Sequence, residues 1–186
     1  MRPPEHASPW RLSHRADPES RVIADRHYNR QKVGSPQFVP PGRCVVLRTE
    51  DNGALWVTSW PFPEYVRHAW PGAWINSLFR REYGALASDL IRLAVAHTRS
   101  IWTPPPEGIV TFVDARKVRS KGHPGYCYIA AGFRVVGQTK GGLLALHLAP
   151  DEMPEPMPVP SSDCLAGRCH HPEGPARPPR TEQGPR

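Results

Sequence analysis

The sequence predicts a mixed α/β fold confined to residues 22–150, and three observations carry that expectation. Two apolar runs flank an Asn-Gly turn, which is the strongest short-range hairpin signal. A single long stretch has helical apolar spacing. A compact β-branched run follows it, as a strand does after a crossover helix.

The elements follow in order. Val45-Val46-Leu47 and Leu55–Trp60 read as two strands joined through Glu50-Asp51-Asn52-Gly53. Trp74–Phe79 is a third apolar run. From about Leu86 to Trp102 the residues Leu86, Leu90, Leu93, Ala94 and Ile101 mark one face of a helix, which Pro104-Pro105-Pro106 ends. Ile109–Val113, closed by Asp114, reads as a buried strand. Tyr126–Ala131 reads as a short helix with Gly132 at its C-cap. Phe133–Val136 and Leu143–Leu148 complete the set, and no internal repeat is visible.

The ends differ in composition. Four of the 24 prolines fall in residues 1–24 and nine in 151–186, with little to build a core from. Such segments bury too little apolar surface to offset their ordering entropy, so residues 1–21 and 151–186 are expected to be disordered. Charge is divided unevenly too. Of a net +7, residues 25–150 hold 16 Lys or Arg against eight acids, while the last 36 residues are net acidic. A basic folded domain favours an anionic partner such as nucleic acid, a phosphorylated cofactor or acidic lipid. A solvated Arg-rich surface accounts for the same numbers. No stretch has the roughly 20 apolar residues of a membrane span, no secretory signal opens the chain, and the four cysteines form no dense framework. A cytoplasmic location is the expectation.

Several residues could carry chemistry. The step from the strand at 74–79 through Gly84 into a helix N-terminus makes an anion site, with Arg80 and Arg81 as added donors. A tight strand-to-helix turn with surface arginines explains them equally. Asp114, at the carboxyl end of a strand, could act as a base or metal ligand, or simply cap the next turn. The segment Gly122-His123-Pro124-Gly125-Tyr126-Cys127-Tyr128-Ile129-Ala130 is the most distinctive in the chain. Its Tyr128 could line a cleft and transfer a proton, or be a packed core tyrosine. Cys164-x4-Cys169-His170-His171 fits no standard zinc spacing. Trp60, Phe62, Tyr65, Trp70 and Trp74 could stack on bases, though core packing is the commoner use of such residues.

Together these pieces resemble the GNAT acyltransferase fold: a strand leading into a helix whose N-terminus holds a pyrophosphate, then a short helix with a Tyr and a Gly-Phe ending, here Tyr128 and Gly132-Phe133. In this resemblance Arg81-Glu82-Tyr83-Gly84-Ala85-Leu86 stands at the pyrophosphate loop, with Leu86 in place of its last small residue. The chain is more narrowly similar to phage Mom-type DNA modification proteins, through His27-Tyr28, Leu78-Phe79-Arg80, Ser88, Asp114 and the Gly-His-x-Gly-x-x-Tyr-x-Ala run at 122–130. The resemblance implies a single GNAT-like domain with a mixed, mostly antiparallel central sheet, a long helix and a short C-terminal helix. It implies Asp114, Tyr128, Ser88 and Arg80 as catalytic residues, and Arg81, Gly84 and Ala85 as the donor-binding loop. Tyr28, His123 and Tyr126 would contact substrate, and His27 would join Asp114 around a metal.

The implied function is transfer of a group to an exocyclic amine of a DNA base, as in phage adenine modification that protects against restriction. DNA would be the partner. Acyl-CoA or another acyl-type donor, with a divalent metal such as iron, would be the cofactors. Two other functions fit the same residues: an acetyl-CoA-dependent N-acetyltransferase of a small amine or protein, and a non-catalytic DNA-binding phage accessory protein.

Overall fold

The computed structural model describes residues 8–62, 69–118 and 123–160. Seven strands form one open sheet: β1 (Trp10–Ser13), β2 (Arg43–Thr49), β3 (Ala54–Trp60), β4 (Trp74–Arg81), β5 (Ile109–Val113), β6 (Arg134–Gln138) and β7 (Leu144–Leu148). Their spatial order is β1-β2-β3-β4-β5-β7-β6. Every neighbouring pair is antiparallel except β4 and β5, which run parallel. A parallel pair needs a crossover, and helix α2 (Ala87–Ile101) supplies it. The remaining α-helices among the described residues are α1 (Pro18–Asp25) and α3 (Tyr126–Ala130), and a 3-10 turn spans Pro150–Glu152. This is the mixed, mostly antiparallel α/β sheet expected from the sequence. Among the described residues no helix is long and apolar enough to cross a membrane.

Strand alternation divides the core between the two faces of the sheet. Val45, Leu47, Trp56 and Trp74 pack with Leu90, Ile91, Ala94 and Val95 of α2 and with Tyr128 of α3. On the opposite face Val46, Leu55, Val57 and Leu78 pack with Ile23 and Ala24 of α1 and with Phe38 and Val39. Leu86 and Ile101, read above as part of the buried face of the long helix, are instead 66 % and 43 % exposed. Leu86 is the N-cap residue of α2 and Ile101 its last residue, so both stand at helix ends. The Asn-Gly turn forms as expected, with Asn52 at φ 60° and its N–H donating to the Thr49 carbonyl.

The expectation that residues 1–21 are disordered is corrected from Ser8 onward. β1 pairs with β2 along the sheet edge, and Trp10 is fully buried with its indole N–H donating to the Leu90 carbonyl at 3.0 Å. Pro18 sits in the first turn of α1, where a missing N–H costs nothing, and Asp17 caps that helix through the N–H groups of Glu19 and Ser20. Pro18, read as a sign of disorder, is helix punctuation. The C-terminal expectation is corrected for residues 151–160. Met153 is buried, the Met157 N–H donates to the Ala96 carbonyl, and Arg99 donates to the carbonyls of Met153 and Pro154. Backbone bonds to α2 hold this segment, and hydropathy does not reveal them. The Cys164–His171 cluster lies outside the described residues.

β5 begins at a tight approach. Gly108 has φ +67°, and a Cβ there would stand 2.3 Å from the Leu148 carbonyl oxygen. Gly108→Ala is therefore expected to destabilise the fold by about 2–4 kcal/mol, the sum of left-handed strain and a backbone clash. A urea-unfolding midpoint unchanged from the parent would contradict it.

Candidate functional site

β4 and β5 pair only from Trp74–Ile109 to Asn76–Thr111. Beyond that point they part, and the reason is local. Leu78 faces Val57 and Asn76 faces Thr58 across the β3 pairing, so Ser77 is an extra residue in β4. This β-bulge bends the strand and switches the alternation of side chains after it. Asn76 and Phe79 consequently face α2, while Leu78 faces α1. The gap opens a cleft of about 140 Å³ lined by Tyr28, Asn76, Phe79, Thr111, Cys127 and Tyr128, among others.

A buried polar cluster forms its floor. Asn76 Nδ2 donates to the carbonyls of Val57 at 3.0 Å and Leu78 at 2.9 Å. Two carbonyl partners settle which end of the amide is nitrogen. Oδ1 then accepts from the Tyr128 hydroxyl at 2.6 Å and from the Thr111 hydroxyl at 3.3 Å. The single hydrogen of the Tyr128 hydroxyl is thus engaged, and its oxygen is an acceptor that also meets the Thr111 side chain. Burial pushes this phenol well above its usual range. Phe79 and Phe133 pack edge-on against the ring at 6.1 and 5.4 Å and hold its orientation.

The segment after α1 crosses the mouth. Arg80 Nη1 donates to the Arg26 carbonyl at 2.6 Å, and Glu82 bridges Arg80 and Arg26 at 2.9 and 2.5 Å. His27 and Tyr28 stack with ring centroids 4.4 Å apart. His27 Nδ1 accepts from the Asn29 N–H at 3.2 Å, and the ring is also bonded by the Phe79 backbone. Burial, with Arg80 nearby, lowers its pKa to about 4. At neutral pH the ring is uncharged and its hydrogen sits on Nε2. Burial raises the pKa of Tyr28, whose hydroxyl is met by the Asp114 backbone. Burial also raises that of the Cys127 thiol.

Asp114 is buried, but its carboxylate is taken. Arg116 donates to Oδ1 at 3.0 Å and to Oδ2 at 3.2 Å, and the Arg116 N–H donates to Oδ1 at 3.1 Å. The Arg116 guanidinium holds this carboxyl below the usual carboxylate range. The capping alternative is therefore the geometry observed. The proposed pairing of His27 with Asp114 around a metal does not fit: the Nδ1 lone pair and both Asp114 oxygens are already engaged. Among the described residues no group of three or more His, Cys, Asp or Glu side chains could hold a metal ion.

The structure gathers Tyr28, His27 and Tyr128 about one cleft, with Asp114 adjoining through Tyr28. Arg80 braces the mouth by ion pair and carbonyl bond. Arg81, Gly84, Ala85 and Ser88 do not line the cleft. Arg81 instead donates to the carbonyls of Ala85 at 2.7 Å and Gly84 at 3.0 Å, closing the loop before α2. That helix starts at an uncapped N-terminus, but Asp89 occupies its first turn, and Asp51 lies 3.5 Å from where a Gly84 side chain would begin. Two carboxylates there oppose a pyrophosphate. Ser88 is half-buried in the first turn, while His123 and Tyr126 are exposed outside the lining. Gly122 and Tyr65 lie outside the described residues. Trp60, Trp74 and Trp102 pack on one another with ring centroids about 6 Å apart, so packing is their observed use.

Sequence reasoning missed Asn76 and Thr111. A signal for Asn76 was present: it is the polar residue at an inward position of the run Trp74-Ile75-Asn76-Ser77-Leu78-Phe79, and a buried polar side chain is more informative than the apolar ones around it.

His27 gives the fold a pH dependence. In the unfolded chain its imidazole takes a proton near pH 6.5, and in the folded chain only near pH 4. Unfolding therefore takes up protons between these values. Stability is full above about pH 6.5 and falls as pH drops through this window. His97, buried and also lowered by burial, adds to the same slope. His27→Gln is expected to flatten the slope, read as the urea midpoint against pH. An unchanged slope would assign the effect elsewhere.

No protein family, curated protein or solved structure matches this chain.

Proposed function

We propose that the protein is a GNAT-like group transferase, related to the Mom-type proteins, that modifies an exocyclic amine of a DNA base. The observation that carries this reading is the Asn76–Thr111–Tyr128 cluster at the point where β4 and β5 part. It presents one oriented hydrogen-bond acceptor in a cleft that contains no group poised to titrate near neutrality. His27 is too weak a base, the Tyr128 and Tyr28 phenols and the Cys127 thiol hold their protons, and Asp114 is locked by Arg116.

That combination suits an acceptor that is already uncharged. The exocyclic amine of a base is neutral at pH 7 and needs orientation rather than prior loss of a proton. The Tyr128 oxygen would accept one of its N–H bonds while the nitrogen bonds the donor's reactive carbon; the carbon's bond to its leaving group breaks in the same step, and one amine proton departs with that group. A lysine or small alkyl amine arrives as an ammonium and requires a base tuned near the working pH. This weighs against the N-acetyltransferase reading. The carboxylates around the start of α2 favour an acyl-type donor without a pyrophosphate anchor. The basic domain would bind the phosphate backbone with steep salt dependence, and a target base in a duplex would be flipped out to reach the cleft.

The test is nucleoside mass spectrometry of DNA from cells expressing the protein, with Tyr128→Phe and Asp114→Ala controls. A new base-derived mass that disappears in Tyr128→Phe supports the reading. The same mass in parent and variant would remove Tyr128 from the chemistry. Unmodified DNA, with soluble protein and donor-producing host genes present, would favour a binding protein.

A further inference from the structure

A second cavity, of about 350 Å³, adjoins the cleft and shares His27, Asn29, Ser77 and Leu78 with it. It lies on the α1 side of the sheet, against the core residues Phe38, Val39 and Leu78. The cleft has room for a small group only. The second cavity falls in the range of roughly 300–1,000 Å³ typical of ligand pockets.

Its rim is built rather than loose. Arg30 donates to Asp25 at 2.7 Å and to the carbonyls of Ser35 and Gln37 at 3.1 and 3.3 Å. Asp25 in turn accepts from the Gly34 N–H at 2.9 Å. These bonds close residues 30–37 into a fixed loop and neutralise the Arg30 charge. Apart from Arg30 and the His27, Ser77 and Leu78 shared with the cleft, the lining is one apolar wall, Phe38, Val39 and Pro40, and three exposed side-chain amides, Asn29, Gln31 and Gln37. Among the described residues none of these three amides is bonded to another protein group. The lining offers no net charge for a phosphate or a carboxylate. Paired donors and acceptors beside an apolar wall match the hydrogen-bonding edge and flat face of an uncharged heterocycle.

We infer that this cavity seats the acceptor base, with Asn29, Gln31 and Gln37 reading its edge and its amino group reaching past Ser77 toward Tyr128; this rests on the base-modification reading above. The larger chamber holds the ring, and the smaller one receives only the reacting amine and the transferred group. Phosphates stay outside, on the basic surface. Gln31 and Gln37 are then specificity-determining residues contributed by a loop that carries no recognisable motif.

The experiment compares binding of short single-stranded DNA carrying A, C, G or T, or an abasic site, at one central position. Fluorescence anisotropy is read for the parent and for a Gln31→Ala/Gln37→Ala double variant. Both glutamines are exposed, so the fold is kept. The parent is expected to prefer one amino-bearing base over the abasic strand by roughly tenfold, the worth of one bidentate amide contact. The double variant is expected to lose that preference while binding the abasic strand as before. A preference that survives in the double variant, or a parent that binds all five strands alike, overturns the proposal. Amide-dependent preference without any modified nucleoside leaves the pocket standing and defeats the base-modification reading. Modified nucleoside from the double variant at the parent rate leaves that reading standing and defeats the pocket.

Discussion

Tyr128→Phe is expected to lower formation of the modified nucleoside by about a hundredfold or more, because an acceptor amine without its hydrogen-bond partner is no longer held in line for attack. Stability should fall by only about 1 kcal/mol. The ring keeps its packing against Phe79 and Phe133, and Asn76 Oδ1 keeps Thr111 as a donor. Asn76→Leu should behave differently. It strips the donors from the Val57 and Leu78 carbonyls and the acceptor from Tyr128, all inside the core. A loss of about 2–4 kcal/mol follows, together with loss of activity. The pair of measurements, product by mass spectrometry and unfolding by urea, separates an orienting role from a structural one. Equal destabilisation of the two variants, or full activity in Tyr128→Phe, would refute the assignment.

Trp10→Ala is expected to destabilise the protein by about 3–5 kcal/mol, a large share of a typical domain's stability. The side chain is fully buried against the α2 face of the sheet, and its indole N–H satisfies the Leu90 carbonyl. Were the N-terminal segment loosely attached, the change would be nearly silent in urea unfolding. The variant also bears on the edge of the sheet, since β1 covers β2 and removes an open row of backbone donors and acceptors there.

The strands from β2 to β7 and the long helix were legible because each carries a local signal. Asn52-Gly53 marks a hairpin, Ile109–Val113 is a β-branched run, and α2 has helical spacing closed by prolines. β1 was not legible, since Trp10-Arg11-Leu12-Ser13 is too short to show a period among the prolines around it. Its one strong signal was Trp10 itself. The site was partly legible. Tyr128 was singled out from its own segment, and Tyr28 and His27 through the Mom-type resemblance, and the three line one cleft. Arg81 was placed in the site by a strand-loop-helix pattern that is real, and Ser88 by the Mom-type resemblance, but the pattern cannot say where a guanidinium donates. Arg81 turned to the nearest carbonyls, those of its own loop.

By itself the sequence determined the type and order of most elements, the crossover that makes β4 and β5 parallel, and the basic character of the folded domain, because these rest on periodicity, turn chemistry and composition. Only the tertiary structure decided that Ser77 bulges β4, that Asn76 polarises Tyr128, and that Asp114 and His27 are engaged elsewhere. The bulge and the Asn76 cluster depend on partners far apart in the chain, 35 residues for Thr111 and 52 for Tyr128, which no local pattern encodes, whereas Asp114 and His27 are taken by groups two residues away whose choice over a more distant partner only the folded geometry settles.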